Sequence, residues 1–380
     1  MAVIVLKNKQ VAELCNDALK NTLGENATIL SEDLTEVVDV GVSLANANAY
    51  KNFIENLMVA TSKYIFRYRA YESKAPNVLR DSQEYGQLIQ KIRSKLPPLS
   101  DNQSWDLQDN TSYDDNVYVS NDAEVTIFAK RVTFEVRKSI TNDQIKNAFT
   151  NATELGSFVS MQFGLVQNRL TLAIDDLIYM TINNYMGILC NKAKQVKLLT
   201  NYKLEVPTAD QTLTSDNCLY DKGFLIYASS ILKDYIDLMG RYSTEFNDEG
   251  FESFTPESLL HCVLVSKFES NMSAYAESST FHNEFIKLPF HETIAYWQGL
   301  GDKSIKDRTT IDITTSLGDA VKQSYIVGFL FDHDALGVNH DNPSVETKYV
   351  RSAQFTNYWY KEVLGYFNDL SENAIVFTLE

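Results

Sequence analysis

The chain has 380 residues, 44% of them hydrophobic, and 34 Lys and Arg against 50 Asp and Glu, for a formal net charge of −16. That length allows one large or two ordinary domains with real cores, and the composition excludes a disordered chain. The acidic balance speaks against a dedicated nucleic-acid binder, which needs clustered cations for phosphate contacts, but not against a wall around DNA, which works better without tight adhesion. The 21 Tyr and 20 Phe suit sheets and wide interfaces. Cys15, Cys190, Cys218 and Cys262 lie far apart, with neither zinc nor disulfide spacing, and read as buried free thiols. The apolar run Met1 to Leu6 is too short for a signal sequence, and no stretch reaches the length of a membrane span, so synthesis as a soluble intracellular protein is expected.

Gln10 to Leu23 has the pattern of an amphipathic helix, with Val11, Leu14, Cys15, Ala18 and Leu19 on one face and Gly24 as C-cap. Thr28 to Val42 is mixed, and Asn48 to Ala60 is helical, with Phe53, Ile54, Leu57 and Met58 on its face. The next stretch is long, polar and sorted by charge. Lys63 to Lys95 has eight bases and three acids, whereas Asp101 to Glu124 has seven acids and no base. Such a segment buries too little apolar surface to hold itself, and it is longer than connections within a domain usually are. A neighbouring copy of the chain is the economical partner. The expected inter-subunit contacts are Lys74, Arg80, Lys91, Arg93 and Lys95 on the basic arm and Asp101, Asp106, Asp109, Asp114 and Asp115 on the acidic arm. The arms should also attract one another, and salt should weaken both effects.

Val117, Val119, Val125, Ile127 and Ala129 alternate as in a strand, and Val132, Phe134 and Val136 continue with the opposite parity. The slip predicts a β-bulge between Ala129 and Val132. From Gln144 the pattern is helical. Leu155, Phe158, Val159, Gln162, Val166, Leu170, Ala173, Leu177, Thr181, Tyr185 and Leu189 mark one face of a very long helix ending near Cys190. Lys192 to Leu219 reads as a polar connection containing Pro207. Lys222 to Met239 reads as a helix facing inward with Phe224, Tyr227, Ile231, Tyr235 and Leu238. Leu259 to Val265 reads as a buried strand, Phe268 to Tyr275 as a short helix, and Phe285 to Leu288 as a strand. A final helix is expected within Ile313 to Tyr325, after which apolar Ile326 to Phe331 leads back out. Tyr349 to Tyr366 and Ala374 to Leu379 read as closing strands.

At the long helix (Ile145-Lys-Asn-Ala-Phe149, Phe158-Val-Ser160, Asp176-Leu-Ile-Tyr-Met180, Asn183-Asn-Tyr-Met186) and at the end (Phe355-Thr-Asn-Tyr-Trp-Tyr-Lys361, Asn373-Ala-Ile-Val-Phe377) the chain resembles the major capsid proteins of tailed bacteriophages, nearest in texture to those of short-tailed phages. The resemblance runs from about Ala45 to the C-terminus and is one of order, since that family has no catalytic signature. It implies an α+β, Hong Kong 97-type fold. Residues 1–44 would form an N-terminal arm and 63–116 an extended loop. Residues 45–62, 117–191 and 326–380 would form a peripheral domain with its spine helix, and 192–325 an axial domain. It also implies self-assembly as hexamers and pentamers into an icosahedral shell around double-stranded DNA, contacted non-specifically, with axial loops near Asp302 to Thr310 taking part. No long coiled-coil N-terminal segment is present, so a separate scaffolding protein is expected, together with a portal, possible decoration proteins, and assembly in the host cytoplasm. Some family members cross-link a loop lysine to an asparagine. Lys74, Lys91, Lys95, Asn339, Asn342 and Asn357 match no such position, and that activity is not carried over.

Two other readings compete. An encapsulin-type compartment would share the fold, but the length and the polar loop disfavour it. A metal-dependent hydrolase would use Asp332-His333-Asp334 and His340-Asp341. Alternation along a strand separates those side chains, so a solvated turn and no metal are expected. His261, inside an apolar run, reads as a hydrogen-bonded core histidine, and its neighbour Cys262 would face the opposite side. His282 and His291 have no HxxxH partner, and Gly299-Leu-Gly301 lacks phosphate-loop spacing. Neither an enzyme nor a cofactor is expected.

Overall fold

The computed structural model describes residues 8–24, 29–32, 34–46, 49, 52–53, 56–57, 75–80, 89–97, 99, 109–110, 123–141, 144, 152–277, 291–299, 304–340 and 344–380. Expectations for Val117 and Val119, for the strand at Phe285 to Leu288, for His282, Gly301 and Asp341, and for the helix start over 145–151 lie outside these residues. So does most of the helix expected over Asn48 to Ala60.

The chain begins with α1 (Asn8–Leu23) and α2 (Val37–Asn46). The stripe Val11, Leu14, Cys15, Ala18 and Leu19 is wholly buried. α1 stops where Gly24, at φ +86°, donates its amide to the Lys20 carbonyl at 3.0 Å, a conformation that costs only glycine nothing. These helices lie on their own subunit, packed with Phe53, Ile140, Val166, Leu170, Tyr358 and Tyr360 in a first hydrophobic core.

β1 (Leu79–Arg80), β2 (Ile89–Ser94), β3 (Ala123–Phe128) and β4 (Arg131–Thr141) follow. The β-bulge expected between Ala129 and Val132 is absent. β3 pairs antiparallel with β2, while β4 pairs with the strand Phe355–Asn368, so no common ladder exists to carry a bulge. Even-numbered residues face inward on both sides of the break: Thr126 and Phe128, then Val132, Phe134 and Val136. The apparent parity change arose because Val125 and Ile127 are apolar yet 49% and 57% exposed.

α3 (Ala152–Asn191) is the expected long helix, 40 residues and about 60 Å of rise. Val166 and Leu170 belong to the first core, whereas Leu177, Tyr185 and Leu189, with Ile174, Ile178, Ile182 and Met186, belong to another. The supposed polar connection after it contains β5 (Gln195–Lys197), α4 (Leu198–Glu205) and a single 3₁₀ turn at Cys218–Tyr220. These elements are too short for periodicity to reveal, and they bury Val196, Leu198, Leu199 and Tyr202. α5 (Lys222–Met239) has the expected bounds, and the Asp221 side chain caps it by accepting from Phe224 N at 2.7 Å. Its buried stripe is rotated from the expected one: Phe224, Leu225, Ala228, Leu232, Ile236 and Met239 face in, and Leu238 is 40% exposed. Small Ala228 and Ser229 lie on this inward side, while Tyr227 and Tyr235 sit at its edge.

The remaining elements are β6 (Leu260–Val265), α6 (Ser266–Glu277), β7 (Glu292–Ile294), α7 (Ile305–Arg308), β8 (Ile311–Thr314), β9 (Ala320–Gln323), β10 (Ile326–Asp332), β11 (Leu336–His340), β12 (Ser344–Val350), β13 (Phe355–Asn368) and β14 (Ala374–Thr378). The helix expected within Ile313 to Tyr325 is instead the β8–β9 hairpin. β-Branched Ile311, Ile313 and Thr314 favour strand, and Gly318 at φ +97° closes the turn.

Two five-stranded sheets organise the fold. In one, β13 carries β4 along one edge and β12 and β11 along the other, with β1 parallel to β11. The other has the order β5-β14-β10-β6-β7. Ile326–Phe331, expected to lead back out, and Ala374–Leu379, expected as a closing strand, supply β10 and β14 and pair with one another within this second sheet. Alternate residues explain its burial on both faces. Cys262, Leu264, Leu330 and Phe377 pack against α5 and α6, while Val263, Val265, Phe329 and Val376 pack against α3.

Candidate inter-subunit site: a ribbon and its seat

β2 and β3 form a two-stranded ribbon whose faces differ. Outward, Ile92 opposes Val125 and Gln90 opposes Ile127. Ile92 is 68% exposed, so three large apolar side chains stand on one exposed face of the ribbon. Inward, Ile89 opposes Phe128, Lys91 opposes Thr126, and Arg93 opposes Glu124. The Phe128 ring lies 5.1 Å from that of Phe367 on β13.

The inward cations sit on the turn between β13 and β14. Asp369, Ser371, Glu372 and Asn373 are all buried there. Lys91 Nζ is 2.6 Å from Asp369 Oδ2 and also bonds Glu372. Arg93 pairs with Glu372 and donates to the Ser371 carbonyl at 2.7 Å. The guanidinium of Arg93 and the ammonium of Lys95 both lie 5.7 Å from the centre of the buried Phe251 ring. Beneath, Asp369 Oδ1 accepts from Ser371 N and Oγ, and Tyr185 of α3 donates its hydroxyl to the Asp369 carbonyl at 2.9 Å. Burial and the surrounding carboxylates hold the Tyr185 hydroxyl well above its ordinary pKa. Glu249 beside the seat is also raised, by burial first and then by Asp369 and Glu124.

A chain of hydrogen bonds leads from the turn into the core. Ser253 donates to Asn373 Oδ1 at 2.6 Å, and Thr255 donates to Asp332 Oδ2 at 2.7 Å. Asp332 is thus buried and bonded rather than solvated, and its pKa is raised by that burial. His333 turns away from it, as alternation requires, and its Nδ1 lies 2.9 Å from His261 Nε2. The stacked His261 ring also lies 5.2 Å from the ring of Phe331, and its Nδ1 is 3.4 Å from Glu292 Oε1. Arg80 bonds the His333 carbonyl and Asp334, the latter at 3.0 Å. Among the described residues no group of three His, Cys, Asp or Glu side chains is arranged to hold a metal, and no helix is long and apolar enough to cross a membrane.

The family model for the Phi29-like phage major capsid protein matches residues 15–378. The chain belongs to that family. This capsid protein is therefore a structural protein of the virion shell and not an enzyme. A solved capsid structure of Staphylococcus phage Andhra matches its fold with a TM-score of 0.50 and 11% identity, over 81% of this chain and 84% of that one. A capsid structure of cyanophage P-SCSP1u gives a TM-score of 0.43 and 13% identity, over 81% and 87%. No curated protein sequence matches the chain. The α+β, Hong Kong 97-type fold class is the one the sequence led us to expect.

Of the expected contact residues in the capsid protein, Arg80, Lys91 and Arg93 have acidic partners within their own chain. Lys95 stands over Phe251, and Asp109 is exposed in a turn. Lys74, Asp101, Asp106, Asp114 and Asp115 lie outside the described residues. Sequence reasoning missed Asp369 and Glu372 because Asp369-Leu-Ser-Glu-Asn373 reads as an ordinary polar turn. It also missed Ile92, Val125 and Ile127 as an exposed set. The signal for that set was the opposing alternation of apolar and basic residues along Ile89 to Ser94.

Proposed function

We propose that this capsid protein assembles as hexamers and pentamers into an icosahedral shell around double-stranded DNA, with the outward ribbon face laid on a neighbouring subunit. The observation that carries the reading is the trio Ile92, Val125 and Ile127, exposed side by side on a two-stranded ribbon. Covering them removes apolar surface from water on every subunit of the shell. The charges meeting the neighbour are Lys74 and Lys95 with Asp101, Asp106, Asp109, Asp114 and Asp115, while Lys91 and Arg93 hold the ribbon from within and Arg80 ties β1 to Asp334. An axial part built on the β5-β14-β10-β6-β7 sheet and a peripheral part built on α3 and the β13 sheet support this reading, with 1–44 as arm and 63–116 as extended loop. A scaffolding protein, a portal and decoration proteins complete the assembly, which takes place in the host cytoplasm. The DNA is touched without sequence preference.

The test is particle yield for Ile92→Ser with Ile127→Ser, co-expressed with the neighbouring gene products. Both side chains are exposed, so the subunit should fold while shells fail to close. Normal yields of closed shells would refute the ribbon's role.

A further inference from the structure

The ribbon's outward face needs a fixed pose, and the structure holds its inward face in one. We infer that Lys91 and Arg93 are positioning residues. They latch the ribbon to the buried Asp369–Glu372 turn of the same subunit and set the outward apolar face before any neighbour arrives. The inference rests on the reading that this face meets a neighbouring copy, and it deepens that reading.

Four observations support the latch. Two cations meet two carboxylates, and each carboxylate lies within ion-pair reach of at least one cation. The side chains are largely withdrawn from water: Lys91 24%, Arg93 20%, Asp369 2% and Glu372 10% exposed. The turn's geometry is held independently by Ser371 and Tyr185, so the acids are in place whether or not the ribbon is down. Finally, the strand period ties the two faces together. Lys91 and Arg93 can reach the turn only when Ile92 between them, and Val125 opposite, point away. An inward carboxylate pair left without its cations would be costly, which drives the ribbon down. A two-stranded ribbon has little stability alone, so without the latch it would sample many poses and each assembly contact would have to order it.

Hydrogen exchange of the full-length subunit before assembly reads the latch directly, alongside particle yield. Amides of 89–94 and 123–128 should be protected in the wild type. In K91E/R93E their exchange should rise by roughly two orders of magnitude, the factor that breaking a buried ion pair implies, with amides of β10 and β14 unchanged. The milder Arg93→Gln should give an intermediate rise and keeps the test usable if the double variant folds poorly. Glu372→Lys alone should free the ribbon, because it sets a third cation against Lys91 and Arg93. Ribbon amides already unprotected in the wild type, or equal exchange in all variants, would overturn the latch and leave the shell-forming reading intact. Failure of only the Ile92 and Ile127 test would overturn the docking face and leave the latch intact.

Discussion

Tyr185→Phe measures how firmly α3 holds the acidic turn. The ring is fully buried and lies 5.9 Å from that of Phe329, so phenylalanine keeps its packing. What disappears is the hydroxyl that donates to the Asp369 carbonyl at 2.9 Å. The loss takes from this buried carbonyl its shorter hydrogen bond and leaves only the Glu372 amide, at 3.4 Å, at a cost of about 1–3 kcal/mol. Unfolding a chain of 380 residues carries an entropy of about 0.8 kcal/mol per kelvin at the midpoint, from about 2.1 cal/mol/K per residue. The melting temperature should therefore fall by about 1–4 °C. Tyr242, 62% exposed, supplies the control, and Tyr242→Phe should shift nothing. The assay is calorimetry, or denaturant titration, of unassembled subunits. Equal stability of Tyr185→Phe and wild type, or equal losses for both tyrosines, would show that the turn is not held from below as described.

Acid should loosen the packing of β1 around His333. His333 sits below its ordinary pKa, held there by burial first and then by Arg80 and His261, with Asp334 opposing. The unfolded chain takes the proton more readily, so this group's stabilisation is complete above the ordinary value of 6.5 and is lost as pH falls through the lowered native one. Glu292 also faces the pair, through His261, so the reading is a difference: the wild-type melting temperature should drop more between pH 7 and pH 5 than that of His333→Gln, and parallel profiles would contradict it. Burial raises the thiols of Cys15, Cys190, Cys218 and Cys262 to about 12. An aromatic disulfide reagent at pH 8 should leave all four unmodified in the native subunit and titrate four after denaturation, and rapid native labelling would contradict the packing.

The parts of the fold legible in the sequence are those where one interaction dominates a long segment. The stripe from Val166 to Leu189 has only one satisfactory solution, a helix buried along one side. The run from Leu260 to Val265 is apolar at every position but one, because its strand is covered on both faces. Reading failed where a residue's surroundings come from far along the chain. Val125 and Ile127 look like core residues, yet their strand's inward face is the one bearing Thr126 and Phe128, fixed by the pairing with Lys91 and Ile89. Lys91 and Asp369, 278 residues apart, become partners only through the fold. Ile313 to Tyr325 reads as a helix, yet its β-branched residues and its glycine turn fold as a hairpin. Charge sorting between Lys63 and Glu124 is visible, but not that three of its cations, Arg80, Lys91 and Arg93, pair with acids of their own subunit.

A density map of the assembled particle, at a resolution that separates side chains, tests the account most directly. It should show Ile92, Val125 and Ile127 covered by a neighbouring copy while Lys91 and Arg93 remain on Asp369 and Glu372 of their own chain. A map in which the apolar trio faces solvent, with Lys91 and Arg93 reaching instead to the neighbour, would contradict it.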